Sequence, residues 1–385
     1  MRKLPILLLL FAAVLSVHAA EQLTVEQLEH TLATGHGKKD QDLAKQLGAM
    51  ELSERLSSPR LATLQAGLPG RKSRLALLAL ADASVFLQLP AAEIPATAPP
   101  DAHTQNLILS KAAESLVAYI HKLPDFFARQ TTNRFHDLMF VRLSPFSDPV
   151  VREHQEFHPL DSFSNTVYYR NGAEEEETNK KQTGIKPRPR NGLLNWGTFG
   201  QLQRIVVTDI YKGEMAWGHW EQRANGPVAV FRYSIPVEKS NYVVDYCCFG
   251  LPNEVWHDFQ SKPPFHGEIA IDPATGAIYR LVLITELSPS DPIFQAEIMV
   301  EYDQVEIGGK MYVCPRKSVT ITTSIFPIFG RHACSAVVSD CVPPHVLTPK
   351  DTAINDTVYD SYHVFRSESR LLPAESTGQE DKSPQ

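Results

Sequence analysis

The chain reads as an α+β protein: one curved, mostly antiparallel sheet wrapped on a helix, with a small helical region ahead of it. Three observations predict this class. From about residue 127 onward, short β-branched and aromatic runs follow one another with turn residues between them. One long amphipathic stripe, Leu109, Ala113, Leu116, Ile120 and Leu123, precedes those runs and needs a sheet to cover it. Before that stripe, residues 21–89 carry four short helical patterns joined by tight turns.

In chain order, Arg2 and Lys3 precede an apolar run from Leu4 to Ser16 that closes on Val17-His18-Ala19-Ala20. This is the pattern of a secretory signal over residues 1–20, too short to span a bilayer and without the cysteine of a lipidation site. The expectation is a periplasmic or secreted product. Thr24-Val25-Glu26-Gln27 fits a capping box, with Leu23 and Leu28 at the two staple positions. A second helix is predicted from Asp40 with Leu43, Leu47 and Met50 on one stripe, and a third from Ser58-Pro59, an N-cap with proline at the first helical position. Leu75, Leu78, Ala79, Asp82 and Phe86 extend the pattern into a fourth. Residues 90–103 hold Pro90, Pro95, Pro99 and Pro100 among alanines, the composition of a semi-rigid linker, and the main domain is placed at 104–370.

Within that domain the long helix should end at Leu123-Pro124. Strands are predicted at Phe127–Phe135 and Phe163–Arg170, with Asn171-Gly172 as a type I′ turn into an acidic return strand. The run Glu174–Glu177, then Lys180, Lys181, Lys186, Arg188 and Arg190, reads as a solvated loop. A helix from Phe199 to Tyr211 interrupts the strands. Strands then resume at Glu214–Gln222, Pro227–Ile235 and Tyr242–Phe249. The stretch from His266 to Thr323 holds hairpins turning at Asp272-Pro273-Ala274-Thr275-Gly276 and at Gly308-Gly309, with breaks expected after Tyr302 and at Pro315. Val319, Ile321 and Thr323 alternate with Ser318, Thr320 and Thr322, which turns one row toward a core. A last strand is predicted at Thr357–Ser367, and residues 371–385 have the composition of a disordered tail.

A formal charge of −7, made more acidic when Arg2 and Lys3 leave with the signal, disfavours nucleic acid as a partner. Five cysteines cannot all pair within one chain; Cys334 and Cys341, enclosing a short loop, are the candidate disulfide, against the alternative of buried thiols. His154, Glu156 and His158 have ligand-like spacing, but Pro159 breaks the helix a zinc motif needs, so no metal site is assigned. His257, Asp258 and His266 lie near one another in sequence without a nucleophile motif, and no catalytic residue or cofactor is assigned. Trp217, Trp220, Phe231, Tyr233 and Ile235 fall on neighbouring predicted strands and are the candidate ligand wall, concave and apolar enough for a lipid tail. The same residues serve equally as core.

The run Gly267-Glu268-Ile269-Ala270-Ile271-Asp272-Pro273-Ala274-Thr275-Gly276, followed by Arg280-Leu281, Glu301-Tyr302, Gly308-Gly309-Lys310 and Cys314-Pro315, resembles the outer-membrane lipoprotein-sorting superfamily, the LolA, LolB and RseB group. The likeness covers roughly Leu107 to Phe365. Leu123-Pro124-Asp125-Phe126 and Gly197-Thr198-Phe199-Gly200 also resemble motifs of uncharacterised exported bacterial proteins. The first resemblance implies a half-open β-barrel covered by helices and a non-enzymatic protein that holds a lipid, an acyl chain or a lipoprotein in an apolar cavity. Two other functions stay open: an envelope interaction or sensing module with a filled core, docking a protein partner through residues 21–89, and an extracytoplasmic hydrolase.

Overall fold

A computed structural model describes residues 22–35, 37–138, 156–176, 197–249, 257–325 and 350–365. The segment predicted as a signal, most of the charged loop, the segment predicted as a tail, Cys334 and Cys341 lie outside the described residues. The first layer is helical: β1 (Gln22–Leu23), α1 (Val25–Thr34), α2 (Asp40–Gly48), β2 (Glu51–Leu52), α3 (Ser58–Ala66) and α4 (Arg71–Ala83). The capping box forms as its residues require, the Gln27 amide N–H donating to Thr24 Oγ1 at 3.2 Å and the Thr24 N–H to Gln27 Oε1 at 2.7 Å. Leu23 and Leu28, the staple pair, are both buried in a leucine-rich core with Leu43, Leu47, Leu61 and Leu77. Helix α3 starts one residue earlier than predicted, with Ser57 as cap and no side-chain bond from it. The Ser58 hydroxyl is drawn instead to the Glu301 carboxylate, at 3.0 and 3.1 Å.

Asp101 caps α5 (Ala102–Lys122) by accepting from the Thr104 amide at 2.7 Å, and the helix ends at Leu123, before Pro124 as expected. The strands then follow: β3 (Phe126–Leu138), β4 (His158–Arg170) and β5 (Ala173–Glu176). Helix α6 (Gln201–Ile210) leads into β6 (Glu214–Arg223) and β7 (Gly226–Ile235). A separate antiparallel pair, β8 (Val244–Phe249) with β9 (His257–Ser261), precedes β10 (Phe265–Ile271) and β11 (Ile278–Thr285). Three long strands complete the set: β12 (Ile293–Ile307), β13 (Lys310–Ile325) and β14 (Lys350–Val364). Ten of these form one antiparallel sheet in the order β5-β4-β3-β14-β13-β12-β11-β10-β7-β6, which is not closed into a barrel. Asn171 and Gly172 both take positive φ, 51° and 79°, as the type I′ reading of that hairpin requires.

Two predicted breaks are absent. Strand β12 runs unbroken through Tyr302, and β13 runs straight through Pro315. The register explains both: Glu301 faces Lys317 while Tyr302 faces Pro315, so Arg316 is an extra, bulged residue. A bulge is where a ladder tolerates a residue without an N–H. The last strand also begins earlier than predicted, at Lys350.

Helices cover both faces of the sheet. On one face α5 and α6 pack Ile108, Ala112, Leu202, Val206 and Ile210 onto Ile269, Leu281, Leu283, Ile298 and Val300. On the other, Ala79 of α4 and Val85 meet Phe135, Val282, Met299, Val319, Ile321 and Ile354. Alternation in β13 therefore does not separate a core row from a wet one, since Ser318, Thr320 and Thr322 are as buried as Val319 and Ile321.

Candidate functional site

Pairing of β6 with β7 brings the five predicted wall residues together. Trp217 stands opposite Phe231, their rings edge-to-face at 5.3 Å, and Trp220 meets Trp217 at 5.0 Å. A bulge between Trp217 and His219 is what lets two tryptophans three positions apart share one cluster. Phe231, Tyr233 and Ile235 alternate along β7 onto the same face and are 1%, 3% and 0% exposed. Helices α5 and α6 fill the space in front of them, so these three side chains are core. The polar ends are engaged as well: the Trp220 indole N–H donates to the Ala98 carbonyl at 3.1 Å, and the Tyr233 hydroxyl to the Val282 carbonyl at 2.5 Å.

That tyrosine bond explains Gly267. A Cβ there would stand 1.9 Å from the Val282 oxygen and 2.9 Å from the Tyr233 hydroxyl, so only glycine lets the ring cross the strand. Gly267→Ala is expected to cost about 2–3 kcal/mol through forced displacement of packed backbone, read as a lowered denaturation midpoint; an unchanged midpoint would contradict the close approach.

The open space lies beside this wall, on the same face. A cleft of about 280 Å³ runs between α5, α6 and the sheet. Its floor is Ala112, Ile210, Ile269 and Ile271, all buried. Leu109, Val207 and Met215 form half-buried sides, and Asn106, Ser110 and Tyr211 an exposed rim. None of the five predicted residues lines this cleft, although they share its hydrophobic cluster. The floor strand is the one predicted ahead of the turn at Asp272–Gly276; how α5 and α6 sit above it depends on packing between segments remote in the chain.

The other face of the sheet carries a charged cluster, and a smaller cleft of about 190 Å³ lies in its helical layer, lined by Leu47, Met50, Ala79, Leu80 and Phe157 among others. Glu221 of β6 accepts from Arg55 at 2.6 Å, from His219 at 3.1 Å and from Arg280 of β11. Arg280 also reaches Glu268 at 3.3 Å, and Gln88 donates to Glu268 at 3.2 Å. Burial would raise the Glu221 carboxyl, but Arg280, His219 and Arg55 outweigh it and hold the acid well below the usual carboxylate range. A carboxylate so engaged is neither a base nor a nucleophile. Beside it, Lys317 of β13 bonds Asp82 of α4 at 2.7 Å and Asp356 of β14 at 3.2 Å. Both groups stitch the N-terminal helical layer to the sheet.

Glu174, half-buried on β5, accepts from the Gly197 and Phe199 amides at 2.9 and 2.7 Å and from the Thr198 hydroxyl at 3.1 Å. It thereby fixes the turn, with Gly200 at φ 119°, from which α6 is launched over the cleft. Glu156 and His158 are 3.8 Å apart at the start of β4, while His266 meets Glu286 at 3.0 Å in a half-exposed pair. Among the described residues no group of three or more His, Cys, Asp or Glu side chains is placed to hold a metal ion. Cys314 is a buried free thiol, pushed up to about 12 by burial. No helix among the described residues is long and apolar enough to cross a membrane. No protein-family model, no curated protein and no solved structure matches the chain.

Proposed function

We propose that this chain is a non-enzymatic binding protein of the periplasm or the extracellular space, taking up an acyl chain, a lipid or a lipidated peptide on the helix-covered face of its sheet. The observation that carries the reading is the cleft between α5, α6 and β10: apolar below, polar at its rim, and open to solvent. Sites for small apolar ligands have this character, and burial supplies the driving force at roughly 25 cal/mol per Å² of apolar surface. A large antiparallel sheet with helices packed on it is also part of what the likeness to the lipoprotein-sorting group leads one to expect, and a half-barrel carrier of that kind is part of the proposal. Purified mature protein is expected to release lipid into an organic extract, detected by mass spectrometry. Once delipidated, it should brighten an uncharged environment-sensitive naphthylamine dye. A clean extract together with no dye uptake removes the reading.

A second reading, an envelope interaction or sensing module, draws on the burial of Phe231, Tyr233 and Ile235, which leaves much of the predicted wall without free surface. In that case residues 21–89 carry the partner contact, and the protein should capture an envelope protein that is lost when exposed positions of α1 to α3 are substituted.

A further inference from the structure

The rim of the cleft says what kind of acyl ligand it suits. We infer, resting on the reading of this cleft as the ligand site, that it takes a single acyl chain of about ten to twelve carbons carried by an uncharged ester or amide, in preference to a free fatty acid. The length follows from volume. An apolar cavity of about 150 Å³ holds one benzene ring of six carbons. By proportion the 280 Å³ here encloses roughly eleven carbons, and further methylenes stand in water.

The charge preference follows from the lining. Of the ten residues around the cleft, none is Lys, Arg, His, Asp or Glu. The polar groups present are the Asn106 amide and the Ser110 and Tyr211 hydroxyls, all on the exposed rim, where a carbonyl or ester oxygen can accept from them. The two lysines adjacent to the lining are held elsewhere: Lys111 donates to the Pro273 carbonyl at 3.4 Å, and Lys212 lies 3.7 Å from Asp209. A fatty-acid carboxylate would meet no cation among the residues that line the cleft, in a chain whose net charge is already −7, and drawing it below the rim leaves it desolvated without a partner. A neutral linkage can sink to the rim and let the whole chain reach Ile269 and Ile271.

The test is calorimetric titration of the delipidated mature chain with monoacylglycerols of eight to sixteen carbons and with the matching fatty acids, below their micellar concentrations. Affinity should tighten about fourfold per methylene up to ten or twelve carbons and then flatten. At equal length the fatty acid should bind about tenfold more weakly, and the glyceride affinity should not change with salt. Fatty acids binding as tightly as glycerides, or affinity still climbing in full steps to sixteen carbons, overturns this inference while leaving acyl binding in place. Binding of no acyl probe at all overturns the underlying reading. Ala112→Phe fills the floor and Val207→Phe one side of the cleft; the half-buried Val207 position tolerates the larger ring should the buried Ala112 position not. At least tenfold weaker binding in a variant that keeps its melting temperature places the ligand in this cleft, and unchanged binding in a folded variant moves it elsewhere.

Discussion

Replacing Arg280 with methionine is expected to destabilise the protein by roughly 3–5 kcal/mol, the cost of stranding a buried charge. Arg280 is 4% exposed and sits on the sheet face that meets the N-terminal helices. It joins two carboxylates, Glu221 and Glu268, that are themselves mostly enclosed, with 12% and 14% of their side chains exposed. Arg55 from the helical layer shares Glu221, so removal of Arg280 leaves one guanidinium facing that acid, and leaves Glu268 to the more exposed Arg232 at 3.4 Å. The denaturant midpoint should fall accordingly, without a change in m if unfolding stays two-state. Adding Glu268→Gln to Arg280→Met should recover a large part of the loss, because the stranded charge goes with it and the remaining Arg55–Glu221 pair is balanced. A single mutant within about 0.5 kcal/mol of wild type, the range of ordinary surface changes, would show that the cluster is solvated and contributes little.

How far the sequence disclosed this arrangement depends on the range of each interaction. Thr24 with Gln27 and Asn171-Gly172 are local devices whose partners lie within a few residues, and each forms as read. The stripe from Leu109 to Leu123 correctly announced a helix awaiting a sheet. Pro315 was misread because its tolerance is a property of the neighbouring strand: only the bulge opposite Tyr302 excuses its missing N–H. Two-sided burial was hidden for the same reason. Arg280, Glu268 and Lys317 alternate with apolar residues and look like a wet face, yet they are enclosed by partners on α4, β6 and the segment around Arg55, remote in the chain. Trp217, Trp220, Phe231, Tyr233 and Ile235 were recognisable as one apolar group from their places on adjacent strands. Whether such a group faces a guest or its own helices is decided by how α5 and α6 sit above it, and no periodicity within β6 or β7 encodes that.

Stability should decline as pH rises from about 5.5 to 8, and Asp82→Asn should remove most of that decline. Asp82 is fully buried on α4, where loss of hydration is the largest influence and pushes its carboxyl up to about 8, against the attraction of Lys317. From the sheet it is faced by Lys317 of β13, Asp356 of β14 and, farther off, Glu301 of β12. That is one cation among three acids, an arrangement that favours a retained proton. Burial works against the Lys317 charge too, but Asp82 and Asp356 outweigh it and raise its pKa, so the lysine stays charged throughout. With a folded pKa of about 8 against 3.8 for the free side chain, the folded state holds an extra proton between those values. The stabilisation is therefore complete at low pH and is lost as pH climbs through the folded pKa, with a slope approaching 1.4 kcal/mol per pH unit for a single proton. Glu221 and Glu268, whose folded pKa values are depressed, act with the opposite sign, but their contribution is complete once the pH exceeds the ordinary glutamate range and is flat across this window. Asparagine keeps the shape of the protonated acid and a carbonyl for Lys317, without the titration. Comparing melting temperatures of wild type and Asp82→Asn at half-unit pH steps isolates this one proton, since all other groups titrate in both proteins. The two curves should converge at low pH and separate in favour of the variant toward pH 8; parallel curves would mean that Asp82 is ionised in the fold and that Lys317 neutralises it completely.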